Sequence, residues 1–287
     1  MSRVDVRKTH KLFIGGAFPR SESGRTYEVT DSKDQFLANM ALASRKDARD
    51  AVLAARSAVA KWSAATAYNR GQVLYRIAEV MEGRREQFIS EVSDSEGVSS
   101  RKAGAHVDAA IDRWVWYAGW ADKYAQVIGN TNPVAGPFFN FSVPEPTGVV
   151  AAVAPQDASV LGLVSVVAPI IVTGNAVIIM PSSSRPIPAI TLAECLATSD
   201  VPAGVVNILT GAPAEVMPWL AEHADVNALD LTGIVDEGVA ADLERSAAGT
   251  VKRVRGAAPH ADWQAPPSLS RIRAFVEVKT VWHPMGV

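Results

Sequence analysis

The stretch EPTGVVAAVAP, residues 145–155, carries an uninterrupted run of small and β-branched apolar residues between a glycine and a proline. A short apolar run bounded by turn residues is typical of a strand buried on both faces. Four similar runs follow it, namely NAVIIMP, VVNILTG, VNALDLTG and TVKRVRG, and helical patterns near residues 158–172, 185–199, 213–223 and 236–247 separate them. This alternation predicts right-handed βαβ units and therefore a five-stranded, doubly wound parallel sheet in an α/β domain.

The segments that follow the predicted strands form the candidate site, because ligands of such a Rossmann-like sheet bind beyond the carboxyl ends of its strands. Those segments are PQDAS (155–159), PSSSR (181–185), TGAPA (210–214) and TGIVDEG (232–238). The Rossmann-like core is predicted to span residues 147–256.

Residues 1–136 are predicted to be a helical part of the same domain. One helix begins after Ser44, which together with Asp47 has the spacing of a capping box. Further helices are predicted over residues 70–92 and 102–126. The last of these carries aromatic residues at three-residue steps, a pattern that favours packing over a binding role: Trp114, Tyr117 and Trp120.

Two segments outside the sheet alternate apolar and polar residues and are predicted to be strands with one apolar face. They are residues 137–146 and residues 270–287, which should pair in a small antiparallel sheet. The apolar positions predicted for the second are Ile272, Ala274, Val276 and Val278. Between it and the core lies a linker rich in Pro and Ala, residues 257–269.

Composition excludes several classes of function. The 28 Lys and Arg residues are scattered and balanced by 30 Asp and Glu, so no nucleic-acid partner is expected. Ser165 and Pro169 interrupt the longest apolar stretch, residues 160–172, which indicates a buried helix and no membrane partner. One cysteine, Cys195, and a charged start without an apolar signal segment predict a cytoplasmic protein. The five histidines lack the spacing of metal ligands.

The order of several motifs resembles the aldehyde dehydrogenase superfamily. These motifs are LFIGGAF, YAGWADK, EPTGVVAAVAP, APIIVTGNAVIIMPSSSRP, LAECLATSDVPAGVVNILTG and LTGIVDEG, and the likeness runs over residues 11–255. The terminal EVKTVWHPMG resembles the family's oligomerisation strand. The resemblance implies a Rossmann-type NAD(P) domain and a nucleophilic cysteine in a separate domain inserted before that strand. Here residues 257–269 stand in place of the inserted domain.

The resemblance also identifies catalytic positions that differ. Where the family has Pro-Trp-Asn, this chain has Pro155, Gln156 and Asp157, and an ionised Asp cannot donate to an oxyanion as the Asn amide does. We expect Asp157 to cap the following helix instead. Cys195 occupies an ordinary apolar helical position, so a structural role is predicted. The family's Glu-Leu-Gly-Gly general-base motif has no counterpart.

The coenzyme positions differ as well. The family's Lys-Pro-Ser-Glu ribose clamp appears as residues 180–183, without the Lys and the Glu, and its Thr-Gly-Ser turn ends in Ile234. The turn glycines match the family, including Gly211. We therefore predict that no cofactor is bound, with these positions as vestiges of a site: Pro155, Gln156, Met180, Ser182, Ser183, Gly211, Thr232, Gly233 and Ile234.

Three hypotheses about function remain open. The leading one is a catalytically inactive subunit, a pseudoenzyme, that associates with a full-length aldehyde dehydrogenase homologue through the oligomerisation strands and has a structural or regulatory role. The second is an NAD(P)-dependent aldehyde dehydrogenase, or a protein that binds NAD or NADP, active only within a complex. The third is a structural homo-oligomer in which the partner is a second copy.

Overall fold

A computed structural model describes residues 7–286 of the chain. In chain order the elements are β1 (Thr9–His10), β2 (Thr26–Thr30), β3 (Phe36–Ala41), α1 (Arg45–Ala64), α2 (Ala67–Gly83), α3 (Arg85–Glu96), α4 (Ser100–Trp120), α5 (Tyr124–Ile128), β4 (Asn130–Asn132), β5 (Phe138–Pro146), β6 (Val149–Val153), α6 (Leu161–Val172), β7 (Ala176–Met180), α7 (Ile187–Ala197), β8 (Val206–Ile208), α8 (Pro213–Glu222), β9 (Ala228–Asp230), α9 (Glu237–Ala248), β10 (Arg253–Arg255), α10 (Ser270–Ala274) and β11 (Val276–Pro284).

The five predicted core strands form one parallel sheet in the order β10-β9-β6-β7-β8, which confirms the predicted fold class. Every residue of β6 and β7 is buried, as their continuous apolar runs require. One apolar cluster includes helices α2, α3, α4, α6 and α7, and a second includes α1, α8 and α9. The sheet is therefore covered on both faces.

The helix α6 is buried over its whole length, as the sequence predicts for this apolar stretch. Within residues 7–286, none of the helices is both long enough and apolar enough to traverse a lipid bilayer.

The predicted capping box of α1 is present. The Ser44 hydroxyl accepts from the backbone of residues 46 and 47, and the Asp47 carboxylate accepts from Ser44 N at 2.8 Å. The single helix predicted over 70–92 is wrong, because Arg84 leaves helical geometry at φ −115°, ψ 14° and separates α2 from α3. The helix predicted over 102–126 likewise ends at Trp120, before the short α5.

The prediction of a helical N-terminal part omitted a three-stranded sheet, β1-β3-β2. β2 pairs antiparallel with β3, the next strand along the chain, and β1 pairs parallel with β3. The segment just after β1 reaches the core, since Phe13 N donates to Ile208 O at 3.0 Å and Ile208 N donates back to Phe13 O at 2.7 Å.

The arm sheet, which we define as β4, β5 and β11, is antiparallel in the order β11-β5-β4. Its presence confirms the small antiparallel sheet, but the last strand begins at Val276 and not at residue 270. Residues 270–274 form α10 because Ile272 and Phe275 turn inward and are buried against the core. Asn175 fixes the base of β11, since its amide donates to Phe275 O at 2.7 Å. The final predicted residue, 287, lies outside the described residues.

Candidate functional site

The four candidate segments follow β6, β7, β8 and β9 and so lie along the carboxyl edge of the sheet. The structure joins the first two by direct hydrogen bonds. Gln156 Oε1 accepts from the Ser183 backbone N at 3.0 Å and from its hydroxyl at 3.2 Å, and Gln156 Nε2 donates to Ala154 O at 2.8 Å. The Ser182 hydroxyl donates to Gln156 O at 2.8 Å. The polar groups of these two loops thus bond to each other.

Asp157 does not cap the following helix, so that prediction is wrong. Helix α6 begins at Leu161, its N-cap is Val160, and no side chain bonds to its first turn. Asp157 is exposed and stands too far before the first helical residue to reach the free amides. Its backbone oxygen accepts from Arg185 at 2.8 Å, which adds a further link between the first two loops.

The side chains at three of the remaining positions point into the protein. Met180 and Ile234 are buried in the apolar cluster that includes α1, α8 and α9. Thr232 is buried too, and its hydroxyl bonds to Arg271 at 3.3 Å. Its backbone N donates to Asp230 Oδ1 at 3.0 Å. These groups are therefore engaged inside the fold.

The two glycines of the site are required by the backbone. A Cβ on Gly233 would stand 1.9 Å from Ala154 O, so only glycine allows the loop after β9 to approach the end of β6 this closely. Gly211 has φ +133°, a conformation that side chains disfavour, and a Cβ there would stand 2.8 Å from Leu42. Pro155 is buried against α6, where a Cβ on Gly162 would stand 2.8 Å from the proline ring. These residues shape the loops.

The amino terminus of α9 is occupied by acidic residues of the chain. Asp236 is its N-cap and accepts from Val239 N at 3.0 Å, and Glu237 lies in the first turn. A helix amino terminus attracts anions through its free amides and its dipole. Here Asp236 accepts from one of those amides, and its charge and that of Glu237 oppose a second negative group.

The linker 257–269 is fixed to helices α4 and α6 by Arg113 of α4. This buried guanidinium donates to Ser165 Oγ at 2.8 Å on α6, and to the backbone oxygens of Trp263 and Ala265 at 2.9 and 3.0 Å. Trp263 is only 8% exposed and packs with the core. The linker is therefore a packed part of the protein.

An ion pair fixes α10, the helix that follows the linker, to the end of β9. Arg271 of α10 lies 3.3 Å from Asp230 at the end of β9, and the Asp230 side chain is 1% exposed. The Arg271 guanidinium also stacks over the Trp263 ring, 4.9 Å from its centroid. Burial lowers the pKa of Arg271, and the nearby Asp230 carboxylate opposes that effect.

Glu96, Arg113 and Arg271 were not predicted as residues of this region, because their partners are distant in sequence. Glu96 at the end of α3 accepts from the backbone N and hydroxyl of Ser159 at 2.8 and 2.7 Å, and its other oxygen lies 3.1 Å from His106 Nδ1. A cavity of about 310 Å³ lies beside this cluster and borders the linker. The one available signal was a tryptophan within the Pro- and Ala-rich linker.

The thiol of Cys195 is sealed inside α7. The residue is fully buried, and burial raises its pKa to about 11, although the nearby Arg84 lowers it. The nucleophilic form of cysteine is the thiolate, which is scarce at neutral pH when the pKa is this high. The structural role predicted for Cys195 agrees with this environment.

The side chains of the first two segments differ from the coenzyme contacts that the resemblance implies, since Gln156 and Ser183 bond to each other and Met180 is buried. In residues 7–286, the buried side-chain polar atoms without a partner belong to Tyr27, Arg56, Glu91, Ser95, Trp114, Asn140, Thr147, Arg255 and Trp263. None of these residues lies in the four segments. Across the same residues, no group of three or more His, Cys, Asp or Glu side chains is arranged to hold a metal ion.

Comparisons with known proteins agree on one family. The sequence model of the aldehyde dehydrogenase family matches residues 18–256. The chain is 33% identical over 246 residues to cytosolic 10-formyltetrahydrofolate dehydrogenase of Pongo abelii, covering 83% of this chain and 27% of the relative. It is 30% identical over 261 residues to aldehyde dehydrogenase, cytosolic 1, of Elephantulus edwardii, covering 88% of this chain and 51% of the relative.

A solved structure gives the same result. The NAD+ complex of aldehyde dehydrogenase from Bacillus cereus superposes with a TM-score of 0.81 at 26% identity, over 86% of this chain and 50% of that one. The chain thus spans about half of these aldehyde dehydrogenases and about a quarter of the larger 10-formyltetrahydrofolate enzyme.

Proposed function

The chain belongs to the aldehyde dehydrogenase family, and from this we propose that it is a catalytically inactive member that acts by associating with a full-length aldehyde dehydrogenase. The observation that carries the proposal is the packed linker 257–269. It leads from β10 directly to α10 and β11, at the place where the resemblance implies an inserted domain with the nucleophilic cysteine. Arg113 and Arg271 hold it there.

Inactivity is supported by the chemistry of the remaining groups. Oxidation of an aldehyde in this family requires a thiolate, an amide donor for the oxyanion, a carboxylate base and a bound nicotinamide. The thiol of Cys195 is buried and protonated, and an exposed Asp157 stands where the amide is implied. At the position implied for the base, Arg255 supplies a cation.

A lack of coenzyme is supported by the contacts of the first two loops. Gln156 and Ser183 bond to each other, so the carboxamide oxygen of one and the hydroxyl proton of the other are already engaged. Met180 and Ile234 present hydrocarbon to the apolar cluster, where the family has a lysine and a serine. The acidic start of α9 disfavours a pyrophosphate there.

The role in association is supported by the arm sheet. Phe139 and Val143 lie on one face of it and Val278 and Trp282 on the other, and each is more than one-third exposed. Apolar side chains exposed on both faces of a strand pair favour contact with another chain. A partner that covers this sheet would gain structural support from the chain or would have its activity changed by it.

Co-expression of the tagged chain with a full-length aldehyde dehydrogenase from the same organism tests the role in association. We expect the two proteins to copurify and to elute as one species in size-exclusion chromatography with light scattering. Trp282→Asp should abolish copurification, whereas Tyr68→Asp, a change at an exposed aromatic residue of α2 outside the arm sheet, should not. Failure of the unmodified chain to copurify would overturn the partner assignment.

A second candidate is an NAD(P)-dependent aldehyde dehydrogenase, or a protein that binds NAD(P), active only within a complex. The observation that favours it is the similarity to an NAD+ complex with a TM-score of 0.81, together with the retained glycine turn at Gly233. The copurified complex separates the two candidates. Under the second candidate, the complex forms more NADH from aldehyde than the full-length enzyme alone and loses the excess when Gln156 and Ser183 are changed to alanine.

A further inference from the structure

The outer edge of β11 is open. β11 is the terminal strand of the arm sheet, and within residues 7–286 no other strand pairs with its outer side. Seven of its nine residues are exposed, and Val276 is the only buried one. An exposed, long strand edge presents unpaired N–H and C=O groups and recruits another strand unless it is blocked.

The charged side chains that usually block such an edge are engaged within the chain. Lys279 lies 3.1 Å from Glu145 of β5, and Glu277 makes two hydrogen bonds with Arg253 of β10 at 3.0 and 2.8 Å. These pairs turn both charges toward neighbours inside the same subunit. They leave the edge with little net charge to repel an approaching strand.

The sequence of β11, VEVKTVWHP, is complementary to itself when two copies run antiparallel. Its midpoint is Thr280, and a two-fold axis through this residue brings all nine positions into register. The opposed pairs are then Val276 with Pro284, Glu277 with His283, Val278 with Trp282, Lys279 with Val281, and Thr280 with Thr280. Aromatic with β-branched and Thr with Thr are favourable cross-strand pairs.

We propose that a second copy of this chain occupies the edge, and that two β11 strands pair antiparallel about Thr280 to give a continuous six-stranded sheet. Neighbouring registers are less favourable. A shift of the axis to Lys279 opposes two lysines, and a shift to Val281 opposes Lys279 with His283 and shortens the overlap. The register centred on Thr280 is also the one of maximum length.

The proposal rests on the proposed function only in giving the arm sheet a role in association. In the absence of a full-length enzyme, the partner is a second copy of this chain. The second copy covers the outer edge of β11, which a full-length enzyme would also contact. The homodimer is then the resting form, and the full-length enzyme must compete with it. Catalytic inactivity plays no part in the reasoning.

Cross-linking of the purified full chain tests the register. Opposed residues have Cβ atoms about 4.5–5.5 Å apart, close to disulfide distance. Under mild oxidation, we expect Thr280→Cys to form an intermolecular disulfide. The matched control is Val278→Cys on the same face of β11. Its two copies are offset by about 13 Å along the strands and should remain unlinked. Cys195 is fully buried and does not interfere.

Replacing an opposed apolar pair by an acidic and a basic residue tests the same register without cysteine chemistry. The chain should have a mass in light scattering of twice its 30.5 kDa. Val278→Glu and Trp282→Lys should each lower the dimer affinity at least tenfold, and the double variant should recover most of it because Glu and Lys then face each other twice per dimer. Circular dichroism checks that each variant is folded.

The outcomes separate this inference from the proposed function. A monomeric chain, equal cross-linking at positions 278 and 280, or no recovery in the double variant would each overturn the self-pairing. A monomer that nevertheless copurifies with a full-length aldehyde dehydrogenase would overturn the second copy as occupant and leave the proposed function standing. A homodimer that binds NAD+ would leave the self-pairing standing and overturn the proposed function.

Discussion

The packed linker is tested most sharply by replacing Arg113 with methionine, which keeps an apolar stem but removes the guanidinium. The change deletes three hydrogen bonds, to Ser165 Oγ and to the backbone oxygens of Trp263 and Ala265. A hydrogen bond to a charged group contributes about 1.5–3 kcal/mol. Three such bonds amount to about 4.5–9 kcal/mol, and because the substitution also relieves the desolvation of a buried cation, we expect a net loss below that range, about 3 kcal/mol in total.

The assay is urea denaturation followed by tryptophan fluorescence, combined with limited chymotrypsin digestion. Arg101→Met, an exposed position on the same helix, is the matched control and should change stability by less than about 0.5 kcal/mol. Chymotrypsin should cleave at Trp263 much faster in the Arg113→Met chain than in the parent chain. A loss below about 1 kcal/mol, or rapid cleavage at Trp263 in the parent chain, would refute the packed linker.

Three further predictions concern the same region and the buried thiol. Gly233→Ala should abolish folded, soluble protein on expression, because its Cβ would stand 1.9 Å from Ala154 O, whereas Gly119→Ala, with open space around it in α4, should be neutral or stabilising by up to about 1 kcal/mol in thermal unfolding. Arg271→Met should cost about 3–5 kcal/mol by leaving the Asp230 carboxylate buried without its cation, and adding Asp230→Asn should restore part of that loss in the same denaturation assay. The Cys195 thiol should resist alkylation in the native chain at pH 8 and react on unfolding. Folding raises the pKa of this thiol from 9.0 to about 11, so the unfolded state loses the proton first. The free energy of unfolding should therefore fall as pH rises from about 9 to 11, and Cys195→Ala should remove this fall.

The elements that sequence patterns predicted well are those fixed by local chemistry. The five core strands follow from continuous apolar runs, and the start of α1 follows from the Ser44 and Asp47 pair. The errors arose where tertiary packing decides. The pattern over residues 270–276 suits a strand, but burial of Ile272 favours the short helix α10. The end of α2 at Gly83, followed by the break at Arg84, was not predicted.

The place of the four segments was predicted from the sequence, but their contacts were not. Parallel topology places the four segments at the carboxyl edge of the sheet. The structure explains Gly233, because the loop after β9 passes too close to the end of β6 for a side chain. The bonds of Gln156 to Ser183 and of Arg113 to the linker join residues that are distant in sequence. No periodicity or spacing identifies such partners, since they are set by how helices and loops meet.

Titration calorimetry of NAD+ and NADP+ into the pure full chain tests the central claim most directly, with a full-length aldehyde dehydrogenase as the positive control in the same buffer. We predict no saturable heat from this chain at millimolar coenzyme, while the control binds normally. Saturable binding of either coenzyme at one site per chain would contradict the account.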